Sequence, residues 1–587
     1  MNRPEWMRTA GVLGAFTVAF LTLTISSYTQ KSATWDEPQH LTAGYLALKA
    51  HDYRTDPEHP PFVRMWAALP LLAMPDIKVD PRFIDRIPPL DWVGEQQFVF
   101  SHNFMYVANN ADRMLYAGRF MIVLLGVLLG VLVFSWVREW LGFGPAVIAL
   151  AFYSVEPNIL AHSSLVTTDF GATCFFFGTL YFLWRTARTL SVGNLIGLAL
   201  FLSLSVISKF SALVLGPTVL MLLATRVVRA TPWVCRIGQS KEIASRTTKA
   251  LVATVIVVLL FLASWGMIWT VYGFRYVPCA SVAWRFHLDH EPSVLQQTPS
   301  LAKTVGWIDS HRFLPNVYTE GFLLGQAKAQ IRGAFLAWRY SLAGWWYYFP
   351  AAFLIKTPVS LILLFIGGLV VCAKRWRTLL QDEAFLLLPI ACYLAPAMAA
   401  KLNIGLRHIL PIYPFVLLLA ALCATELLKG KQKGARALLV VLSLLWLFEF
   451  ARAYPHYLAF FNQFVGGPRN GYEYLADSNL DWGQDLKSLK RWMNNNNVQH
   501  INLAYFGTAD PAYYKIQCTI MPGSEYFAES LFKGLQLPGY VAVSTTILDG
   551  VYLDDMQKAF YRPLLNKEPK AVIGYSIRVY WMDRRWW

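Results

Sequence analysis

Blocks of about twenty apolar residues, nearly free of charge, recur along the chain, with segments rich in Lys, Arg, Pro and Gly between them. Each block is long enough to cross the ~30 Å of bilayer hydrocarbon as a helix. The pattern predicts about eleven such helices, near 9–28, 115–136, 144–160, 170–187, 193–207, 211–225, 250–272, 350–372, 384–400, 409–428 and 437–453. The run 193–225 reads either as two short helices or as one long helix broken at Lys209 and Gly216-Pro217. Charge favours two, because Arg185 and Arg188 precede the run and Arg226 and Arg229 follow it. An even number of crossings keeps all four on one side. The first apolar run, Thr9–Ser27, is too long for a signal-peptide core and has no small-residue cleavage site, so it reads as a retained anchor.

Three long segments, 29–113, 273–348 and 454–587, interrupt the pattern. The first two mix Pro, Trp and charged residues, as interfacial helices with loops do. The third reads as a small α/β domain. Its stretch Leu486–Met493 has helical spacing, while 501–506 (INLAYF), 540–545 (YVAVST) and 571–582 (AVIGYSIRVYWM) read as strands. The expected fold is thus an all-α polytopic membrane domain over 1–453 with an α/β domain over 454–587. No internal repeat is visible, which removes the usual support for an inverted-repeat transporter.

Charge gives the chain a direction. Arg3, Arg8, Arg138, Arg185, Arg188, Arg226, Arg229 and the clusters within 236–249, 374–377 and 429–436 all fall in alternate connections. The short connections on the other side hold only Lys209, Lys401 and Arg407. The positive-inside rule then puts the N-terminus in the cytoplasm and the three long segments outside. The net charge of +16 follows from those retained cations and needs no nucleic acid to explain it. A charged fraction of 15%, against about a quarter in soluble domains, and a 15% aromatic share agree with many membrane interfaces. The seven Cys are scattered without a CxxC pair, which excludes a disulfide framework and a Cys-rich zinc site.

Ionisable residues beside apolar segments are costly and become functional candidates. Trp35-Asp36-Glu37-Pro38 follows the first helix; it offers a catalytic base, or a helix start with Asp36 as cap. Glu58-His59-Pro60-Pro61 with Arg64 suits an anionic headgroup, a metal or a plain polar turn, although Glu58 and His59 alone are too few for zinc. Asp169, in Thr167-Thr168-Asp169, is a candidate acid or another cap. Lys209, Lys356, Lys401, Arg407 and His408 gather on the side where cations are disfavoured. They either snorkel to lipid phosphates or bind a substrate phosphate. The run 477–483 (DSNLDWG) opens like a calcium loop, but its Gly comes one place late and its twelfth position is Ser488, so a capping turn is the better reading.

In this order the motifs resemble the bacterial polyprenyl-phosphate-dependent glycosyltransferases of the GT-C superfamily, near protein O-mannosyltransferases and the aminoarabinose transferase of lipid A. The resemblance runs along most of the chain. It rests on WDEP (35–38), EHPP (58–61), TTD (167–169), the Lys209 hairpin, GWWYYFPAAFLIKTP (344–358), NIGLRHILPIYPF (403–415) and the run from Tyr454 through FGTADPAYY (506–514). It implies a helical bundle of the bacterial plasma membrane with an outer active site. The implied donor is a sugar on a polyprenyl phosphate, and the acceptor a hydroxyl of a protein, lipid or glycan. Asp36 would be the base, aided by Asp169 and Glu37. Lys209 and Arg407, with Lys356, Lys401 and His408, would hold the donor phosphate. Glu58, His59 and Arg64 would shape the sugar or acceptor site, in a segment that in the family sometimes meets a metal; no cofactor beyond that divalent metal is implied. A phosphate leaving group needs cations rather than a general acid, so one base with several cations suffices and inversion is expected. The alternative is a carrier or flippase for an anionic lipid-linked substrate, which should instead place its charges at mid-membrane.

Overall fold

The computed structural model describes residues 5–280, 284–375, 382–430, 433–524 and 534–586; Arg3, Arg377 and Lys431 lie outside these. Among the described residues, six helices are long and apolar enough to cross a membrane: Glu5–Tyr28, Ala111–Leu141, Phe210–Val228, Arg246–Val271, Leu406–Lys429 and Lys433–Ala453. Shorter apolar helices, among them Phe143–Ser154, Val192–Val206 and Ala384–Ala399, pack with them. The chain is a mostly helical, multi-pass membrane protein. Leu406–Lys429 lies at the centre of the bundle and is almost wholly buried, whereas Arg246–Val271 presents most of its surface outward.

Proline reshapes two of the predicted helices. The span expected over 350–372 is two helices, Tyr348–Lys356 and Val359–Lys374, bent by 118° between them. Pro358 has no N–H for the ladder and holds Thr357 in an extended conformation, so the helix cannot pass through. The helix expected over 144–160 ends at Ser154 and restarts at Pro157, where Glu156 caps the new helix by accepting from the Ile159 N–H at 2.6 Å.

The run 192–228 goes out and back. Thr189 and Leu190, just before it, pair in parallel with Val234 and Cys235, just after it. Its two ends therefore meet, and Lys209 stands at the turn between Val192–Val206 and the helical stretch that starts at Phe210. The end where the run starts and finishes also collects the abundant cations: Arg138 pairs with Glu5 at 2.6 Å, Arg185 with Glu139 at 3.4 Å and Arg188 with Asp382 at 3.9 Å. Lys209 marks the opposite end.

The C-terminal segment carries a five-stranded sheet of β1 (Ile501–Ala504), β2 (Cys518–Ile520), β3 (Gly539–Ser544), β4 (Ala571–Ile573) and β5 (Ile577–Met582), in the order β2-β1-β3-β5-β4. The β1 strand runs parallel to β2 and β3, and β5 antiparallel to β3 and β4. The single strand expected over 571–582 is a hairpin, because Gly574 and Tyr575 both take positive φ and reverse the chain. The sheet is joined to the bundle. Lys31, just past the first helix, donates to Asp485 at 2.7 Å and lies 2.5 Å from His456 Nδ1.

One buried ion pair ties together the end of the bundle that holds Lys209. Glu37 and Arg119 are fully buried and meet at 2.6 and 2.8 Å. Glu37 also accepts from the backbone N–H groups of Thr34 (2.8 Å) and Val166 (2.9 Å), and Arg119 donates to the carbonyls of Tyr28 (2.9 Å) and Ser32 (2.8 Å). Removing one partner strands the other charge, which typically costs 3–5 kcal/mol. Glu37→Gln should accordingly lose about 3 kcal/mol of stability, measured by thermal unfolding of the purified protein in detergent. An unshifted transition would show that the pair is dispensable.

Candidate active site at the Lys209 end of the bundle

Two helix starts face each other here. Asp36 stands at the N-cap of Glu37–Ala50 and Asp169 in the first turn of Thr168–Arg188. Both are positions where a carboxylate ordinarily satisfies free backbone N–H groups. Asp36 makes no such cap bond; its carboxylate goes to a cation. Arg407 Nη1 donates to Asp36 Oδ2 at 2.9 Å and lies 3.4 Å from Asp169 Oδ2. Lys209 donates to the other oxygen of Asp169. Four residues from four separate regions thus form one alternating chain of charge: Asp36, Arg407, Asp169, Lys209.

The two acids are not equivalent. The Asp169 side chain is 1% exposed and has a cation on each oxygen, while that of Asp36 is 23% exposed and shows one cation contact. A base must reach its proton, so Asp36 is the carboxylate an acceptor can approach. The Arg407 guanidinium lies over the Trp482 ring, 4.2 Å from its centroid. Its Nε, and Nε2 of the adjacent His408, are buried without a hydrogen-bond partner among the described residues. Orphaned donors of this kind cost about 1–3 kcal/mol each, a cost that a ligand oxygen would offset.

The other predicted site residues are distributed around this chain. Glu37 points away from Asp36 into the Arg119 pair. Lys356 is buried over the Phe461 ring and donates to the carbonyls of Leu458 (2.8 Å) and Asn479. Lys401 is exposed to solvent. Glu58 pairs with Lys328 at 2.5 Å. Arg64 donates to the carbonyls of Thr55 (3.1 Å), Asp56 (2.6 Å) and His59 and to the Asp56 carboxylate at 2.8 Å, which closes the loop 55–59 on itself.

That loop also builds a cluster of which sequence reading named only His59. The ligand atoms of His40, Asp56 and His59 all lie within 4.8 Å of one another. His40 Nδ1 donates to the Val166 carbonyl at 2.8 Å, so in the neutral ring Nε2 carries a lone pair. That lone pair faces Asp56 Oδ2 at 3.4 Å. Two acceptors face each other, an arrangement reconciled by a proton shared between them or by a cation bound there. Burial, reinforced by the charges of His40, Lys209 and Arg64, holds His59 well below its ordinary pKa, so its imidazole is a neutral ligand. Burial also raises the Asp56 carboxyl against the pull of Arg64 and His40. The donor set, two imidazoles and a carboxylate with one ring fixed by a backbone carbonyl, fits a divalent metal. His40 lies four residues after Asp36 on one helix, a spacing that would have pointed to it; Asp56 showed no signal beyond its place before EHPP.

Among solved structures, the chain is similar to ArnT from Cupriavidus metallidurans bound to undecaprenyl phosphate, with 11% identity, 97% of each chain covered and a TM-score of 0.44. It is also similar to the Archaeoglobus fulgidus oligosaccharyltransferase tethered with an acceptor peptide, with 12% identity and a TM-score of 0.43. That match covers 77% of this chain and 55% of the other, so the chain spans about half the archaeal enzyme's length. A third likeness is to the S. cerevisiae protein O-mannosyltransferase complex bound to the sugar donor, with 15% identity, coverage of 45% and 33% and a TM-score of 0.32. No curated protein sequence matches it. Residues 103–269, the stretch that includes Asp169 and Lys209, match the family described as dolichyl-phosphate-mannose-protein mannosyltransferase, and the resemblance read from the motifs is borne out there.

Proposed function

We propose that the chain is a membrane glycosyltransferase that moves a sugar from a polyprenyl-phosphate donor to an acceptor hydroxyl, at the extracytoplasmic face of a bacterial plasma membrane. The observation that carries this reading is Arg407 set between an accessible and an enclosed carboxylate, with Lys209 closing the chain on Asp169. The family match over Asp169 and Lys209 supports the donor class.

In this mechanism the donor phosphate lies against Arg407 and Lys209, with its polyprenyl tail in the lipid beside the bundle. Asp36 takes the proton of the acceptor hydroxyl. The acceptor oxygen attacks the anomeric carbon from the face opposite the phosphate and inverts it. The bond from that carbon to the phosphate oxygen breaks, and its electron pair stays on the phosphate. Arg407 and Lys209 stabilise the charge that grows there, which is where fixed cations act most strongly. Asp169 holds both cations in place and is too enclosed to be the base. Glu37 keeps the Asp36 loop against Arg119. Lys356 and Lys401 take no part in donor binding. The acceptor is a hydroxyl on a protein, a lipid or a glycan.

The His40, Asp56 and His59 cluster fits a divalent metal in this reading. When bound, such an ion would supply a fixed positive charge beside the sugar-binding loop 55–59.

Three outcomes test these assignments. Asp36→Asn should lower sugar transfer by at least a thousandfold while the protein stays folded and inserted, checked by turnover of a radiolabelled lipid-linked sugar; wild-type turnover would remove Asp36 as the base. Arg407→Ala and Lys209→Ala should each raise the donor KM at least tenfold with little change in acceptor KM, and an effect confined to the acceptor would defeat the phosphate assignment. Elemental analysis of the purified protein after equilibration with Mn2+ or Zn2+ should find close to one ion per chain, lost in the His40→Gln/His59→Gln variant. Equal metal content in the two proteins would leave a proton between His40 and Asp56 as the answer to the facing acceptors.

A further inference from the structure

In the stretch 477–485, which opens like a calcium loop, Asp477 and Asp481 are spent on their own domain. Asp477 accepts from the Ser478 N–H (2.5 Å) and the Tyr552 hydroxyl, and Asp481 from the Thr546 N–H (3.0 Å). Its remaining groups reach both walls of the active site. On one side, Asn479 Oδ1 accepts from the Leu406 N–H at 2.9 Å, and Ser478 Oγ donates to the Ile404 carbonyl at 3.2 Å. A Cβ on Gly405 would come within 2.2 Å of that hydroxyl, so a side chain at position 405 would displace it from its place against Ile404. This fixes the backbone directly before Arg407.

On the other side the stretch holds the loop that bears Asp36. The Trp35 N–H donates to the Trp482 carbonyl at 2.9 Å, and the Ser32 N–H to the Gln484 carbonyl at 3.0 Å. Ser32 Oγ donates to the Gly483 carbonyl at 3.0 Å and accepts from the Leu486 N–H at 3.1 Å. Between the two walls, the buried Trp482 ring lies under the Arg407 guanidinium.

We infer that residues 477–485 set the spacing between the base and the phosphate-binding cation, with Trp482 as the positioning residue for Arg407. The inference rests on the donor-phosphate role given to Arg407 above. Trp482 offers a flat, desolvated face on which the guanidinium plane is held, so the energy of orienting Arg407 is spent before the donor arrives. Asn479 does the same for the backbone of the Arg407 segment. Neither residue is placed against a reacting atom, and both act through Arg407.

The test is a double-variant cycle on the full-length protein in detergent, with undecaprenyl phosphate as the probe and calorimetry as the readout. Trp482→Leu should weaken binding five- to tenfold, and Trp482→Phe, which keeps an aromatic face, less than threefold. Arg407→Ala/Trp482→Leu should bind no worse than Arg407→Ala alone, because a positioning residue has nothing to position once the guanidinium is gone. Fully additive losses, or a Trp482→Leu protein that binds like the wild type beside a weakened Arg407→Ala, overturn the inference alone. An unchanged Arg407→Ala overturns the phosphate assignment and this inference with it. If Trp482→Leu does not fold, the Trp482→Phe cycle carries the same comparison with a smaller shift.

Discussion

The end of the bundle that holds Lys209 depends on a buried carboxylate whose bonds are all spent on holding the fold. Glu37 and Arg119 sit where water is excluded, and in such a place neither charge is tolerable without the other. Having paired, they still need their remaining hydrogen-bonding positions filled. They fill them from the exit of the first helix, from the loop before Asp36 and from Val166, three residues before Asp169. Satisfying one ion pair therefore fixes the two acids that face Arg407. The neighbouring Asp36 takes no part in that pair and stays partly exposed beside Arg407.

Asp36 and Asp169 show how a local rule fails in a useful way. Each sits at a helix start, and sequence reasoning rightly lists a cap as the plain explanation. Asp36 makes no cap bond; its carboxylate is drawn to Arg407, whose charge-assisted bond is worth more than one to a backbone amide. Asp169 likewise carries a cation on each oxygen. A cation that comes from a distant segment cannot be seen in a local window, and this is why the caps and the site could not be told apart from sequence.

The apolar blocks were legible because membrane helices are written in long, contiguous stretches. The out-and-back path of 192–228 followed from four arginines alone, and the pairing of Thr189 with Val234 bears it out. What escaped was what depends on one residue or on distant contact. Pro358 bends a predicted helix by 118°, and Gly574 with Tyr575 turns a predicted strand into a hairpin. Lys209 and Arg407 stood out as cations on the wrong side of the charge pattern, and both meet Asp169. Lys356 carried the same signal but is used to hold Leu458 and Asn479, since charge pattern locates a side chain's end of the bundle and not its partner. Asp56 gave too little local signal to be chosen, and His40 gave only its spacing from Asp36.

The backbone pairing of Trp35 with Trp482 also has a consequence in time. The ribosome makes Trp482 roughly 450 residues after Trp35, an interval of about 20–90 s at ordinary rates of synthesis. Through that interval the Asp36 loop of the nascent chain lacks the segment that fastens it. A chain truncated between the two would carry Asp36 without the contact that sets it opposite Arg407 in the proposed site.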